Sequence, residues 1–498
     1  MGEPLVRTAA GVVEGRWRSG MADFRGVSYA QPPVGALRFA APVPPARWDG
    51  TRPAVEFGPL PPQSGPVQVD SAHEPDWLTL NIRTPDPGAA GLPVLVWIPG
   101  GGYITAIASD PTYDPLRLCA AGFVVVSLNY RVGVEGFALL DGAPANRGFL
   151  DQMAALAWVQ DNIGRFGGDP AQVTVAGQSA GAGSIAALLT MTRARGLFRR
   201  AITHSVPGNH CTPALAEQVA AALADRLGTT PTSAALSAVD PWRLADELTA
   251  LNAGLGADRD RWGQLAQLGM AVCPVVDGHV LSETPWSALT GGRVRGVELL
   301  AGHTRDEFRL FSVMAGRSGT FTEDEAQTAL DLLAPPGGAD AYRAAYPAAT
   351  AGELLETVSS DALFRMPSLH LAEANAAAGG SSYLFELCLA SPAAGGALGA
   401  CHSLDVPLAF GTLDSPTGRQ VFGDVASPEV VRVSQELHEA WVGFATTGDP
   451  GWPAFRSDQR LTRVLDTASH TTTYPEDASR RIWERHAPAP FDLAATRN

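Results

Sequence analysis

Gly177-Gln178-Ser179-Ala180-Gly181 follows Val173-Thr174-Val175-Ala176 and opens a helix-like run over 183–191. The β-branched residues before it read as a buried strand. A serine flanked by glycine two positions to either side, between a strand and a helix, fits a sharp elbow that lifts its hydroxyl above a sheet edge. The helix N-terminus that follows favours negative charge developing beside it. In a chain with 53 glycines, the five-residue string alone also fits a tight turn that does nothing but pack.

Outward from the elbow, short apolar runs at 94–98, 123–128, 198–204, 297–301 and 383–387 read as further strands. Between them, 151–166 begins with an acid and carries apolar residues at helical spacing (Met153, Leu156, Val159, Ile163). This alternation predicts an α/β fold with a large, mostly parallel sheet and helices on both faces. Functional groups then collect on loops at the strand C-terminal ends. The stretch 213–271 is Ala/Leu-rich without a clear strand, so residues 1–498 read as one domain with a helical excursion there.

The 498 residues would by length allow several domains; with 45% hydrophobic and 17% charged residues they can bury a large core. A net charge of −15 argues against a nucleic-acid or anionic-membrane partner. All 36 basic residues are Arg, which removes Schiff-base, Walker-lysine, kinase-lysine and Ser-Lys chemistry. The Arg bias, with abundant Gly, Pro and Ala, reads as a GC-rich bacterial source. The N-terminus shows no signal pattern, Val6 breaks the myristoylation motif, and no apolar run is long enough to span a bilayer. A soluble, monomeric protein is expected, cytoplasmic on the simplest reading, although a secreted chain with its signal removed would look the same. Five separated cysteines (Cys119, Cys211, Cys273, Cys388, Cys401) imply neither a disulfide framework nor a zinc site. Neither a metal nor another cofactor is expected: the glycines at 100–102 lack dinucleotide spacing.

With Phe166-Gly167-Gly168-Asp169-Pro170 upstream, the run 166–181 resembles the type B carboxylesterase and cholinesterase family of the α/β-hydrolase superfamily. Asn129-Tyr130-Arg131-Val132-Gly133, Asp151-Gln152, Phe24-Arg25-Gly26 with Pro32-Pro33-Val34-Gly35, and Thr447-Gly448-Asp449-Pro450 with Trp452-Pro453 resemble further landmarks of that family. The resemblance covers nearly the whole chain. It implies hydrolysis of a small-molecule carboxylic ester, with Ser179 as nucleophile.

A serine hydroxyl needs an imidazole to take its proton and a carboxylate to orient that imidazole. In α/β-hydrolases both follow the serine in the chain. Nine of the ten histidines do. The resemblance selects His402, in Gly399-Ala400-Cys401-His402, leaving His303 and His204 as lesser alternatives, read as surface histidines or supports behind the site. It selects Glu307 as the acid in Asp306-Glu307-Phe308, where Phe308 replaces the family's glycine. Asp306 reads as an ion pair or helix cap, and Cys401 as a small buried residue. Pro99-Gly100-Gly101-Gly102-Tyr103 occupies the place of the family's oxyanion loop, which implies N–H donors at Gly101, Gly102 and Ala180.

Three positions qualify the inheritance. Pro99 stiffens the loop entry and removes a donor. Gln178 stands where a glutamate is common and lessens the expectation of a cationic substrate. Trp77, in Glu74-Pro75-Asp76-Trp77-Leu78, replaces a cysteine of the family's early disulfide. Ser205 either holds Glu307 or is a plain strand-end serine. Tyr103 and Phe308 are pocket candidates, whereas Phe137 reads as core. The same triad would also serve a lactone, thioester, amide or biosynthetic acyl intermediate, including acyl transfer. A catalytically silent binding protein is the reading from a different class.

Overall fold

The computed structural model describes residues 2–64, 75–292 and 296–493; Glu74, quoted above, lies outside them. An 11-stranded sheet is built from β1 (Arg16–Arg18), β2 (Met21–Ser28), β3 (Thr79–Thr84), β4 (Leu92–Ile98), β5 (Val124–Leu128), β6 (Gly168–Gln178), β7 (Arg200–His204), β8 (Glu298–Thr304), β9 (Ser382–Leu387), β10 (Leu461–Leu465) and β11 (His470–Thr473). Their spatial order is β11-β10-β9-β8-β7-β6-β4-β5-β3-β2-β1. From β5 through β4 and β6 to β10 all pairings are parallel; antiparallel strands finish both edges. A small sheet of Leu5–Arg7, Val12–Glu14 and Thr51–Pro53 stands apart from it.

The strands are apolar on both faces because both are covered. Along β4, Val94, Val96 and Ile98 enter one core while Leu95 and Trp97 enter the other. The first core is closed by α1 (Arg147–Asn162) and α2 (Ala180–Thr190), which bury Phe149, Leu156, Val159, Ile185 and Leu188. The second is closed by α3 (Pro428–Thr447), which buries Val433, Leu437, Trp441 and Phe444. The sequence dictates both ends of α3. The Ser427 side chain accepts from the Val430 N–H, Pro428 opens the helix, and Gly448 closes it at φ 84.

Helix α1 starts at Arg147, four residues before the acid expected to open it. Asp151 is instead fully buried inside the helix and forms a 2.7 Å ion pair with the equally buried Arg131. The stretch 213–271 is helical as expected, with Pro213–Leu227 and Pro241–Gly254 its longest helices. The absence of a disulfide is corrected: Cys211 and Cys273 are bonded across 62 residues of sequence, while Cys119, Cys388 and Cys401 are free and buried. The excursion returns alongside its own start, with the Cys211 N–H on the Pro274 carbonyl and the Val276 N–H on the Cys211 carbonyl. No local spacing announces such a return. Among the described residues no helix is long and apolar enough to cross a membrane.

Candidate active site

Ser179 sits between β6 and α2 at φ 54, ψ −127, a left-handed conformation that a non-glycine residue adopts only when its surroundings impose it. Its N–H is held by the His204 carbonyl on β7 at 2.9 Å. The turn is closed from below by the end of β4: a Cβ on Gly181 would lie 2.0 Å from the Ile98 carbonyl oxygen. Only glycine fits there.

Glu307 lies just beyond β8 and is fully buried. One carboxylate oxygen accepts from the Thr304 N–H (2.8 Å) and the Ser205 hydroxyl (2.6 Å); the other faces His402 Nδ1 at 2.5 Å. His402 follows β9, is 5% exposed, and packs on Phe364, ring centroids 4.2 Å apart, with Phe311 alongside at 5.5 Å. With Nδ1–H directed at Glu307, Nε2 is the acceptor nitrogen. Among the described residues its partner is the Gln178 amide at 3.0 Å, not the Ser179 hydroxyl.

A cavity of about 480 Å³ joins these groups, lined by Ser179, His402, Gln178, Ala180, Gly101 and Gly102 and by a largely apolar wall. Ala180 opens α2, so its N–H has no acceptor within the helix. The glycine loop presses on the serine: a Cβ on Gly100 would lie 3.2 Å from Ser179 Cβ. That loop is braced by the Asn129–Gly133 landmark. The Tyr130 hydroxyl donates to the Pro99 carbonyl (2.8 Å), and the Gly133 N–H donates to the Tyr103 carbonyl (2.7 Å).

Each residue singled out in the sequence has a definite place. Tyr103 and Phe308 line the cavity, and Phe137 is core, packed 4.9 Å from the Tyr103 ring. Ser205 reaches Glu307 through its hydroxyl. Asp306 is an ion-pair residue: burial alone would raise its carboxyl, but Arg305, the Ala400 N–H and Arg309 hold it below its ordinary value. Burial pushes the Cys401 thiol up to about 12, so at neutral pH it is an inert packing group. His204 and His303 are not surface residues. Both are fully buried: His204 bonds to Asp405 (2.7 Å) and Trp441, His303 to the Thr304 carbonyl and Tyr474. Phe311, Phe364, Leu363 and Asn209 line the cavity without having been anticipated. They come from segments remote in sequence, and only the aromatic character of Phe311 and Phe364 hinted at a pocket. Among the described residues no group of His, Cys, Asp and Glu could hold a metal.

A serine on a strand-to-helix elbow, with a carboxylate and a histidine on later loops of the same parallel sheet, defines an α/β-hydrolase. The chain belongs to the carboxylesterase family, whose profile matches residues 2–483, and it is a carboxylesterase. It is 34% identical to the para-nitrobenzyl esterase of Bacillus subtilis (strain 168), over 97% of this chain and 98% of that one. It is 35% identical to the phenmedipham hydrolase of Pseudarthrobacter oxydans, over 93% and 95%. The crystal structure of a Geobacillus stearothermophilus carboxylesterase superposes with a TM-score of 0.85 at 32% identity, covering 96% of this chain and 99% of that one.

Proposed function

We propose that the enzyme hydrolyses small-molecule carboxylic esters through an acyl-enzyme, with Ser179 as nucleophile, His402 as general base and acid, and Glu307 as the carboxylate that orients it. The observation that carries this reading is the Glu307–His402 contact of 2.5 Å opening, on the ring's other nitrogen, into the cavity that also holds Ser179. His402 Nε2 takes the Ser179 proton as Oγ attacks the acyl carbon. Negative charge gathers on the former carbonyl oxygen, where the N–H groups of Gly101, Gly102 and Ala180 receive it; one such donor lowers the barrier by about 3 kcal/mol. His402 then passes its proton to the leaving alcohol. Water, activated by the same nitrogen, releases the acid.

For Nε2 to accept that proton, the Gln178 amide must yield its place to the Ser179 hydroxyl. The apolar wall favours uncharged acyl and alcohol groups, which agrees with the aromatic ester in the name of the Bacillus relative. The test is turnover of a p-nitrophenyl acyl series beside lactones and thioesters, with organophosphate labelling of Ser179. The expected result is ester turnover with stoichiometric labelling, both lost in Ser179→Ala. A wild type that is not labelled would refute the assignment of the nucleophile.

A further inference from the structure

The glycine loop beside Ser179 is held differently along its length. At Pro99 and Tyr103 it is braced by Tyr130 and Gly133. Beyond Tyr103 it is held by a side chain from a segment that the mechanism does not use. Gln63 Oε1 accepts from the Ala106 N–H at 2.9 Å, and Gln63 Nε2 donates to the Ala106 carbonyl at 3.1 Å. The same nitrogen donates to the Pro61 carbonyl at 3.2 Å. A carboxamide has one acceptor oxygen and two amide hydrogens. Here each is engaged, and Ala106 is paired on both sides, as one peptide unit pairs with another in a sheet. Leu60, Pro61 and Pro62 before Gln63 are buried, and the two prolines stiffen its approach.

Thr105 joins Ala106 to the glycines. The Thr105 N–H and hydroxyl both donate to the Gly101 carbonyl, at 3.0 and 3.2 Å, and the Ile104 N–H reaches the same oxygen at 3.1 Å. In a trans peptide the carbonyl and the following N–H point in opposite directions. Fixing the Gly101 oxygen on residues 104 and 105 therefore turns the Gly102 N–H away from that turn, on a loop that lines the cavity. Among the described residues this N–H donates to no protein acceptor. A donor aimed before charge develops needs no reorganisation when it does.

We propose that Gln63 is a positioning residue of the oxyanion hole: its carboxamide holds Ala106 and, through Thr105, the Gly101–Gly102 peptide in the orientation that presents the Gly102 N–H to the tetrahedral oxygen. This rests on the roles assigned above to Ser179, His402 and the glycine loop. Without the clamp the loop keeps its braces at Pro99 and Tyr103, but its donor loses its aim. Binding of the transition state then weakens while binding of uncharged ligands does not.

The test sets an alkyl trifluoromethyl ketone against the carbinol obtained by reducing it. Ser179 Oγ adds to the ketone carbon, its proton passes to His402, and the former carbonyl oxygen becomes a tetrahedral oxyanion; the carbinol binds without one. Gln63→Leu removes the clamp, and Gln63→Glu turns an oxygen toward the Ala106 and Pro61 carbonyls. In both, kcat/KM for p-nitrophenyl butyrate should fall and the ketone Ki rise by a common factor of roughly tenfold or more, with the carbinol Ki unchanged. Thr105→Val should shift the first two in the same sense, and Thr105→Ser, which keeps the hydroxyl, should match wild type. Gln63→Glu keeps the side-chain volume and gives the reading should Gln63→Leu lose its folded circular-dichroism spectrum. An unchanged ketone Ki in the Gln63 variants, an equal rise for ketone and carbinol, or equal losses in Thr105→Ser and Thr105→Val overturns the proposal. The wild type separates the levels. Tight ketone binding that ignores Gln63 refutes only the clamp, whereas an enzyme inert toward both ester and ketone refutes the serine mechanism itself.

Discussion

The Gln178 side-chain amide lies 3.0 Å from His402 Nε2, on the ring nitrogen that opens into the cavity. A neutral amide can donate to that nitrogen and still move aside. A carboxylate cannot donate, and it favours the imidazolium by roughly 1.4 kcal/mol or more. In Gln178→Glu, kcat/KM on a neutral p-nitrophenyl ester should therefore fall at least about tenfold against wild type. An unchanged kcat/KM would show that Gln178 does not govern the base.

Ser205 supplies one of the two hydrogen bonds on the Glu307 oxygen that faces away from His402; the other comes from the Thr304 N–H. A hydrogen bond to a charged group contributes about 1.5 to 3 kcal/mol. Ser205→Ala should lower kcat by roughly tenfold or more and leave KM nearly unchanged, since Ser205 does not line the cavity. Steady-state kinetics on one p-nitrophenyl ester decides it; a rise in KM at constant kcat would contradict an orienting role.

His210 is 1% exposed and packs edge-on against Trp286. Burial, only partly offset by the Gly208 backbone, lowers its pKa from 6.5 to about 4. Between those values the unfolded chain binds a proton that the folded chain refuses. Stability is therefore complete above pH 6.5 and is lost as pH falls toward 4, by up to about 3 kcal/mol. His210→Phe should flatten this dependence. Urea unfolding of both proteins at pH 7.5 and pH 5 measures it, and an equal loss of stability in both would assign the acid sensitivity elsewhere.

The Cys211–Cys273 bond closes a loop of 62 residues' separation around the helical excursion. In the chain-entropy description such a cross-link contributes about 4 kcal/mol. The double variant Cys211→Ser, Cys273→Ser should shift the urea midpoint downward, and dithiothreitol should shift only the wild type. Identical midpoints would mean that packing alone closes the loop.

The parts of the fold legible in the sequence are those governed by neighbours in the chain. β4, β5, β6 and α2 follow from local runs of β-branched or small residues, and the elbow from five consecutive positions. The helix boundary at Arg147 was missed because Asp151 serves a distant arginine rather than its own helix end. The disulfide, the burial of His204 and His303, and the lining by Phe364 and Asn209 depend on segments that meet only after folding. The contacts of Ser205 with Glu307 and of Gln178 with His402 lie between the two. Their positions beside landmarks could be seen, but which atom each side chain reaches could not.

Ser179, Ser205, Glu307 and His402 follow β6, β7, β8 and β9, four strands adjacent in the sheet in that same order. Strands lie about 4.8 Å apart whatever their connections do, so the sheet acts as a ruler for the chemistry. The helices between β7 and β8, which carry Leu268 and Met270 to the cavity, can be lengthened, shortened or exchanged without altering its graduations. What the enzyme does to an acyl carbon and which acyl carbon it admits are thus separable inheritances, free to drift at different speeds.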